Sequence, residues 1–251
     1  MKLIKYISVC FLMIAAIMIN SCGEKATIDS VTPAEGARVK FLHAVQGGTP
    51  VVVFANGKKW SARLNTLANG PDSLVYGDVY PITDYSVFAA GEASFELKTP
   101  ASATPAAVSV LTGKANLENG KFYTVIAGDT VGKPRLVTIE DDRSAIKSSV
   151  KTYLRFVNLV AGAPTYDIIY RRNGASTTMA TLKYGDASSV VEFDPYPSGI
   201  TVNDSIYIRA QGTTANLVSL SNGTGLTANR LRTYVIRGKV GTIGVNTILN
   251  N

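Results

Sequence analysis

The chain has 251 residues, of which 46% are hydrophobic and 17% are charged, and its formal net charge at pH 7 is +7. This composition supports a buried core and excludes an intrinsically disordered chain, and the length favours two domains. Two cysteines and one histidine disfavour zinc sites and catalytic triads, which need several such side chains or a dedicated base.

The N-terminal segment has the three-part pattern of a secretory signal. Lys2 and Lys5 precede an apolar run over residues 7–19, and small and polar residues follow that run. As a helix the run would be about 20 Å long, which is shorter than a segment that spans a bilayer. We therefore expect a cleaved signal rather than a transmembrane anchor.

The end of this signal resembles the bacterial lipobox. In that motif the signal is cut before a cysteine whose sulfur then carries a diacylglycerol, and the order here is Ile19-Asn20-Ser21-Cys22. We predict a lipoprotein signal peptide over residues 1–21, lipidation of Cys22 and a tether over residues 22–35. The alternative is an ordinary signal with an unmodified Cys22. Lipidation predicts a membrane anchor in the cell envelope, at the outer membrane, on either its periplasmic or its surface face.

Short runs of Val, Ile, Phe, Tyr and Thr follow the tether, and Gly, Asn, Pro and Asp separate these runs. Alternation with a period of two is typical of strands, and Asn56-Gly57 is a strong hairpin signal. No segment of twelve or more residues has a capped amphipathic helical pattern. The sequence therefore predicts an all-β chain. The strands expected in its first half are 38–45, 50–55, 82–88, 93–98, 106–111, 121–127 and 135–140.

The second half of the chain repeats this plan, with the elements in the same order. Three segments show the match: residues 38–45 with 153–160, 76–78 with 184–186, and 125–128 with 235–238. The pattern indicates a tandem duplication.

The duplication predicts two domains, residues 36–142 and residues 150–251, joined by a linker over residues 143–149. We expect each domain to be an immunoglobulin-like or transthyretin-like β-sandwich, because about seven short strands in about 100 residues suit either fold.

The first unit resembles a bacterial family, the domain of unknown function 4397. The segments that carry the resemblance are residues 38–44 (RVKFLHA), 50–58 (PVVVFANGK), 76–78 (YGD) and 120–127 (GKFYTVIA). It covers residues 36–142 well and residues 150–240 more loosely. The resemblance implies a secreted or lipid-anchored protein of Bacteroidetes type, with two tandem copies and no established activity.

Aromatic side chains are the first candidates for ligand contacts. Amphipathic rings can cover sugar faces at a low entropic cost. The chain has one tryptophan and twelve tyrosines, and we select Trp60 and Tyr76 as candidate glycan contacts. The alternative is that these rings belong to the core.

The single histidine, His43, and the acidic run Glu140-Asp141-Asp142 are the next candidates. His43 shares a predicted strand face with Val39 and Phe41, so we expect a partly buried, hydrogen-bonded histidine rather than a catalytic one. The acidic run lacks the spacing of a calcium loop, so we expect a solvated domain boundary. We predict no catalytic residue and no metal ligand.

Four Asp-Ser or Asp-Thr pairs each precede an aliphatic residue. This triplet resembles the signal at which Bacteroidetes O-glycosylate exported proteins, and it makes Ser30, Ser73, Thr130 and Ser205 candidate glycosylation sites. Asp-Ser and Asp-Thr also favour turns, so a structural role fits the pattern equally well.

The charge is distributed unevenly along the chain. Residues 36–142 hold ten basic and ten acidic side chains, whereas residues 150–251 hold ten basic and five acidic ones. A basic face in the second half would suit lipopolysaccharide, an acidic glycan or an acidic protein surface. Nucleic acid is not an expected partner, because the sequence lacks a stripe of interleaved basic and aromatic residues.

The sequence has no nucleophile elbow, phosphate loop, zincin helix or dinucleotide fingerprint. We therefore predict a non-enzymatic, lipid-anchored envelope protein without a cofactor, which binds a glycan or another surface polymer. The alternative is a protein-interaction or structural module in envelope or surface-fibre assembly, since exposed strand edges can pair with other strands. A hydrolase that depends on carboxylates is the third hypothesis.

Overall fold

Strands make up nearly all of the regular structure. The computed structural model describes residues 35–61, 73–101, 106–172, 174–194, 205–221 and 228–250. These residues contain seventeen strands and one short 3-10 turn, Arg143–Ala145. The expected all-β sandwich class is confirmed. No helix within the described residues has the length and hydropathy to cross a bilayer.

Nine strands belong to the first half of the described chain. They are β1 (Ala37–His43), β2 (Val52–Ala55), β3 (Lys58–Lys59), β4 (Val79–Tyr80), β5 (Ser86–Phe88), β6 (Gly91–Lys98), β7 (Ser109–Leu117), β8 (Phe122–Gly128) and β9 (Arg135–Glu140). One sheet has the order β4-β1-β8-β9, with β5 also pairing with β1, and the other has the order β3-β2-β6-β7. The pair β1 and β8 is parallel.

The core of the first half lies between these two sheets. Phe41 and Val125, on β1 and β8, face Val53 and Phe95, on β2 and β6, and all four side chains are buried. Because side chains alternate between the two faces of a strand, each sheet supplies every second residue to this core.

Eight strands belong to the second half. They are β10 (Thr152–Ala161), β11 (Tyr166–Arg172), β12 (Ala175–Leu182), β13 (Val191–Phe193), β14 (Ser205–Ala210), β15 (Val218–Ser221), β16 (Arg230–Lys239) and β17 (Thr242–Asn250). Their sheets have the orders β13-β10-β16-β17 and β12-β11-β14-β15. The strand order of the first half therefore recurs, including the parallel pair, here β10 and β16.

The second half has its own core between its two sheets. Phe156 and Tyr234 stack there with their ring centroids 5.5 Å apart, and Ile168 and Ile208 pack against them from the opposite sheet. This arrangement repeats the pattern of the first half.

A third apolar cluster joins the two halves. It lies between the sheet that contains β1 and β8 and the sheet that contains β10, β16 and β17. Its buried members are Leu42, Ala44, Ile126, Val157, Leu159, Val235 and Ile248. Both faces of β1 and β10 are thus covered, which explains why these strands have almost continuous runs of buried residues. Residues 35–251 form one compact unit, and the division into two domains at residues 143–149 stays a prediction.

Candidate functional site

The predicted modification sites differ in their surroundings. Cys22 and Ser30 lie outside the described residues. Ser73 is fully buried, so the folded chain leaves no room for a glycan on its hydroxyl. Thr130 and Ser205 are both half-buried. Thr130 lies at an isolated β-bridge, and Ser205 is the first residue of β14. Glycosylation of these two hydroxyls stays a prediction.

Trp60 packs against the core of the first half and does not form an open platform. Its indole Nε1 donates a hydrogen bond to Ser86 Oγ at 3.0 Å. Four rings surround the indole at centroid distances between 4.9 and 6.2 Å: Phe41, Tyr80, Phe88 and Phe95. The structure therefore favours the core interpretation of this side chain.

Tyr76 contacts the second half of the chain. The guanidinium carbon of Arg237 lies 3.9 Å from the centroid of the Tyr76 ring, and Asn246 Nδ2 donates to the Gly77 carbonyl at 2.6 Å. The matching Tyr184 donates its hydroxyl to Asp129 in the first half, at 3.3 Å. The repeated Tyr-Gly-Asp element therefore joins the halves, and one face of the Tyr76 ring is occupied.

A buried polar network crosses the interface between the halves, and the sequence analysis missed it. Arg155 Nη2 donates to Asp141 Oδ1, and Arg155 Nη1 donates to the Glu140 carbonyl at 2.6 Å. Asp141 Oδ2 accepts from the hydroxyls of Thr124 and Tyr85 at 2.7 and 2.9 Å. The expectation of a fully solvated acidic run is wrong for Asp141, which is 1% exposed, because these donors replace water.

The cations of this network occupy matching positions in the two halves. Lys40 is opposite Thr124 in the parallel pair of the first half, and Arg155 is opposite Thr233 in that of the second half. Lys40 Nζ donates to the Leu249 carbonyl of the second half at 2.6 Å. In the same way, Arg155 donates to the Glu140 carbonyl, which occupies the matching position in the first half. Because these groups bond to one another, the network serves packing and offers no site for a ligand.

The outer surface of the sheet β12-β11-β14-β15 is a better candidate. Ile206 and Ile208 on β14 face the core, so Tyr207 and Arg209 face outward. The Arg209 guanidinium carbon lies 5.5 Å from the centroid of the Tyr207 ring. On β11 the exposed Arg171 hydrogen bonds to the Tyr207 side chain. We call Arg171, Tyr207 and Arg209 the basic face.

The side chain of Tyr207 lies near Ser205 and Arg171 on the basic face. Bonds with Ser205 and Arg171 lower the pKa of Tyr207, since both stabilise the phenolate form. The side chain of Tyr207 therefore lies beside two cationic side chains, Arg171 and Arg209.

No described carboxylate forms a salt bridge with the arginines of the basic face. Arg171 and Arg209 form no ion pair with any acidic residue in the described ranges. Asp167, opposite Arg209 in the strand pairing, instead accepts from Thr181 Oγ1 at 2.7 Å. Arg209 Nε donates to Asn216 Oδ1 at 2.7 Å, and Arg171 bonds to Tyr207. Because a guanidinium group has five N–H donors, both groups keep donors for an anionic ligand.

On the corresponding surface of the first half, two lysines each pair with a carboxylate. Lys98 forms an ion pair with Glu96 at 3.1 Å, and Lys114 forms one with Glu92 at 2.7 Å. Lys98 also lies over the Phe54 ring, 4.8 Å from its centroid. The two sheets share a topology. Among the described residues, however, only the sheet of the second half has arginines without a salt bridge beside an aromatic ring.

Strand β12 places hydroxyl groups beside the basic face. Ser176 pairs with Arg171, and Thr178 lies two residues further along this exposed outer strand, on the same face of the sheet. Hydroxyls that donate and accept next to guanidinium groups suit a polar, anionic polymer. In the described part of the chain, no cluster of three or more His, Cys, Asp or Glu residues could hold a metal ion.

Comparison with known proteins gives one family match. The family model for a domain of unknown function (DUF4397) matches residues 37–169, which is more than half of the chain. The match begins at β1, includes the whole first half and ends within β11. No curated protein matches the chain.

Proposed function

We propose a function for this chain, which belongs to the DUF4397 family, a domain of unknown function. The proposal starts from the basic face. The chain is a non-enzymatic protein of the cell envelope, held there by a lipid on Cys22. It binds an acidic glycan or a similar anionic surface polymer.

The basic face carries this proposal. Arginine binds carboxylate, sulfate and phosphate groups through its planar fork of donors, and an aromatic ring can cover the face of a sugar. Tyr207 lies between Arg171 and Arg209 on a solvent-facing sheet. A flat sheet surface suits an extended polymer better than a closed pocket would. Trp60 packs against the core and Tyr76 contacts Arg237, so we place the glycan contacts on the basic face instead of on these two residues.

Loss of the arginines should weaken binding to an acidic polysaccharide. Each charge-assisted hydrogen bond contributes about 1.5 kcal/mol or more, or about tenfold in affinity. We expect the double variant Arg171→Ser, Arg209→Ser to bind polygalacturonate at least about tenfold more weakly than the native chain. Affinity electrophoresis in gels that contain polygalacturonate or neutral dextran measures this difference.

Lys98→Ser is the matched control, because Lys98 occupies the corresponding sheet of the first half and pairs with Glu96. Its retention should equal that of the native chain. Tyr207→Ala should weaken retention without changing the net charge, which separates ring contacts from general attraction between charges. Equal mobility of the native chain in both gels would contradict the proposal.

The lipid anchor is tested separately by intact mass. Protein isolated from membranes of its native host should begin at Cys22 and weigh more than the peptide by one lipid modification. Added glycans on Thr130 or Ser205 would appear as further mass that chemical deglycosylation removes. In the Cys22→Ser variant the lipid mass should disappear. A native mass equal to that of the unmodified peptide would exclude both modifications.

We also infer that the halves are tandem copies of one unit, in a lipoprotein of Bacteroidetes type. Three observations support the duplication: the recurring strand order, the repeated Tyr-Gly-Asp element that contacts the opposite half, and the matching positions of Lys40 and Arg155.

An alternative role in protein interaction or fibre assembly is supported by β12. This outer strand has eight residues and contains neither lysine nor proline, which commonly protect edge strands from pairing. A native chain that ignores both polysaccharides but crosslinks to another envelope protein through β12 would favour this role.

A further inference from the structure

The sandwich of the first half has a small apolar pocket at one end. It lies where β1 ends and where the chain turns from β8 to β9, and its volume is about 140 Å³. Among the described residues that line it, His43 is the only titratable one. Aliphatic side chains form most of the wall: Val45, Val51, Leu97, Val110, Leu111 and Val131.

The imidazole of His43 leaves one nitrogen without a partner. His43 is 1% exposed, and its Nε2 lies 3.2 Å from the Thr49 carbonyl oxygen. A carbonyl oxygen can only accept, so Nε2 carries the hydrogen and Nδ1 presents a lone pair. Nδ1 is buried and has no hydrogen-bond partner among the described residues. The ring therefore has a hydrogen-bond acceptor to which no described residue donates.

The surroundings of His43 keep the ring neutral and leave space beside it. Burial lowers the pKa of His43, so the imidazole is uncharged at neutral pH. Cε1, the carbon next to Nδ1, lies 3.3 Å from the position that a Cβ would take on Gly48. Glycine at this lining position thus places no side chain against this edge of the ring.

The second half has a counterpart pocket of about 210 Å³ without such an acceptor. Tyr166, Leu217 and Val240 are among its lining residues. Asn158, which occupies the position of His43, donates to the Leu182 carbonyl at 3.1 Å and accepts from a backbone N–H at 3.1 Å. Of these two pockets, only that of the first half combines an apolar wall with an unpaired acceptor.

We propose that the His43 pocket binds a small apolar molecule with a body about the size of a benzene ring and one hydroxyl or N–H group. That group donates its hydrogen to His43 Nδ1. An apolar cavity of about 150 Å³ is large enough to bind benzene. A buried acceptor without a partner is unfavourable, so a ligand that supplies a donor should gain affinity over one that does not. This inference does not depend on the basic face.

Phenol and toluene are the probes, because they have a similar shape and only phenol carries a donor. The chain has a single histidine, so ¹⁵N-histidine labelling of the full chain gives one pair of imidazole signals. We expect phenol to shift the Nδ1 resonance and to bind about two- to tenfold more tightly than toluene. An Nδ1 resonance that stays unchanged as phenol is added would overturn the proposal, and so would equal affinities.

Three variants assign the binding to this pocket. His43→Asn copies the residue of the second half and should remove the preference for phenol over toluene. Val110→Phe should fill the pocket and abolish the binding of both probes while His43 remains. Leu217→Phe, in the counterpart pocket, should leave the Nδ1 shift unchanged. If His43→Asn keeps its melting temperature and also keeps the preference for phenol, the role of Nδ1 is excluded.

Discussion

Replacing Asp141 with alanine is expected to lower the free energy of unfolding by about 3–5 kcal/mol, the range found when one partner of a buried ion pair is removed. The variant leaves the guanidinium of Arg155, which is 4% exposed, without its counterion. The hydroxyls of Thr124 and Tyr85 lose their acceptor as well. Burial already lowers the pKa of Lys40, and the charge of Asp141 opposes that effect. Urea denaturation followed by circular dichroism measures the change.

Asp142→Ala is the control for this prediction. Asp142 is exposed and, within the part of the chain that the structure describes, accepts only from the backbone N–H and hydroxyl of Ser144. Its loss should cost less than about 1 kcal/mol, as is usual for an exposed capping bond. Similar effects of the two substitutions would show that the ion pair across the interface contributes little to stability.

Replacing Trp60 with alanine is expected to cost about 3–5 kcal/mol, the range for removing a large aromatic side chain from a core. The indole contacts four aromatic rings and donates to Ser86, so its loss leaves a cavity and an unpaired hydroxyl. Circular dichroism during urea denaturation is the suitable readout, because the variant removes the only tryptophan of the chain.

Trp60→Phe should restore most of this stability, because phenylalanine keeps an aromatic ring in the cluster. Retention in polygalacturonate gels should be equal for the folded Trp60→Phe variant and the native chain. If Trp60→Ala were instead fully stable and lost its retention, Trp60 would be a sugar platform and the assignment to the basic face would be wrong.

The strands were largely predictable, because the alternation of apolar and polar residues indicates which face of a strand is buried. The predicted segment 135–140 coincides with β9, and Asn56 and Gly57 both have the positive φ angles that a tight hairpin requires. β7 was harder to predict. Residues 106–111 were expected and Ser109–Leu117 is observed, because this outer strand is mostly exposed and includes Gly113 and Lys114.

The internal repeat was visible in the sequence, but one part of its alignment is displaced. The match of residues 125–128 with 235–238 aligns identical Val-Ile pairs. The strand pairing instead places Val125 opposite Phe41 and Tyr234 opposite Phe156. A shift of one residue moves a side chain to the other face of the strand, so Val235 belongs to the interface cluster and not to a sandwich core.

The sites depended on contacts that no local pattern encodes. The sequence of the acidic run predicts a solvated segment. Asp141 is buried because Arg155 on β10, distant in sequence, supplies the counterion that offsets the cost of removing its carboxylate from water. The excess positive charge of the second half was visible as composition. The placement of Arg171 and Arg209 beside Tyr207 follows from the pairing of β11 with β14, which the sequence did not reveal.

The charges at the interface make its two sides complementary rather than identical. The first half contributes Lys40 and Asp141, whereas the second contributes Arg155 and, at the place of Asp141, Asn250. Two copies of the second half could not pair in this way without burying two arginines that lack a carboxylate, which is strongly unfavourable. Pairing of two second halves across this surface is therefore disfavoured, whereas a first half supplies the carboxylate that the buried Arg155 of a second half needs.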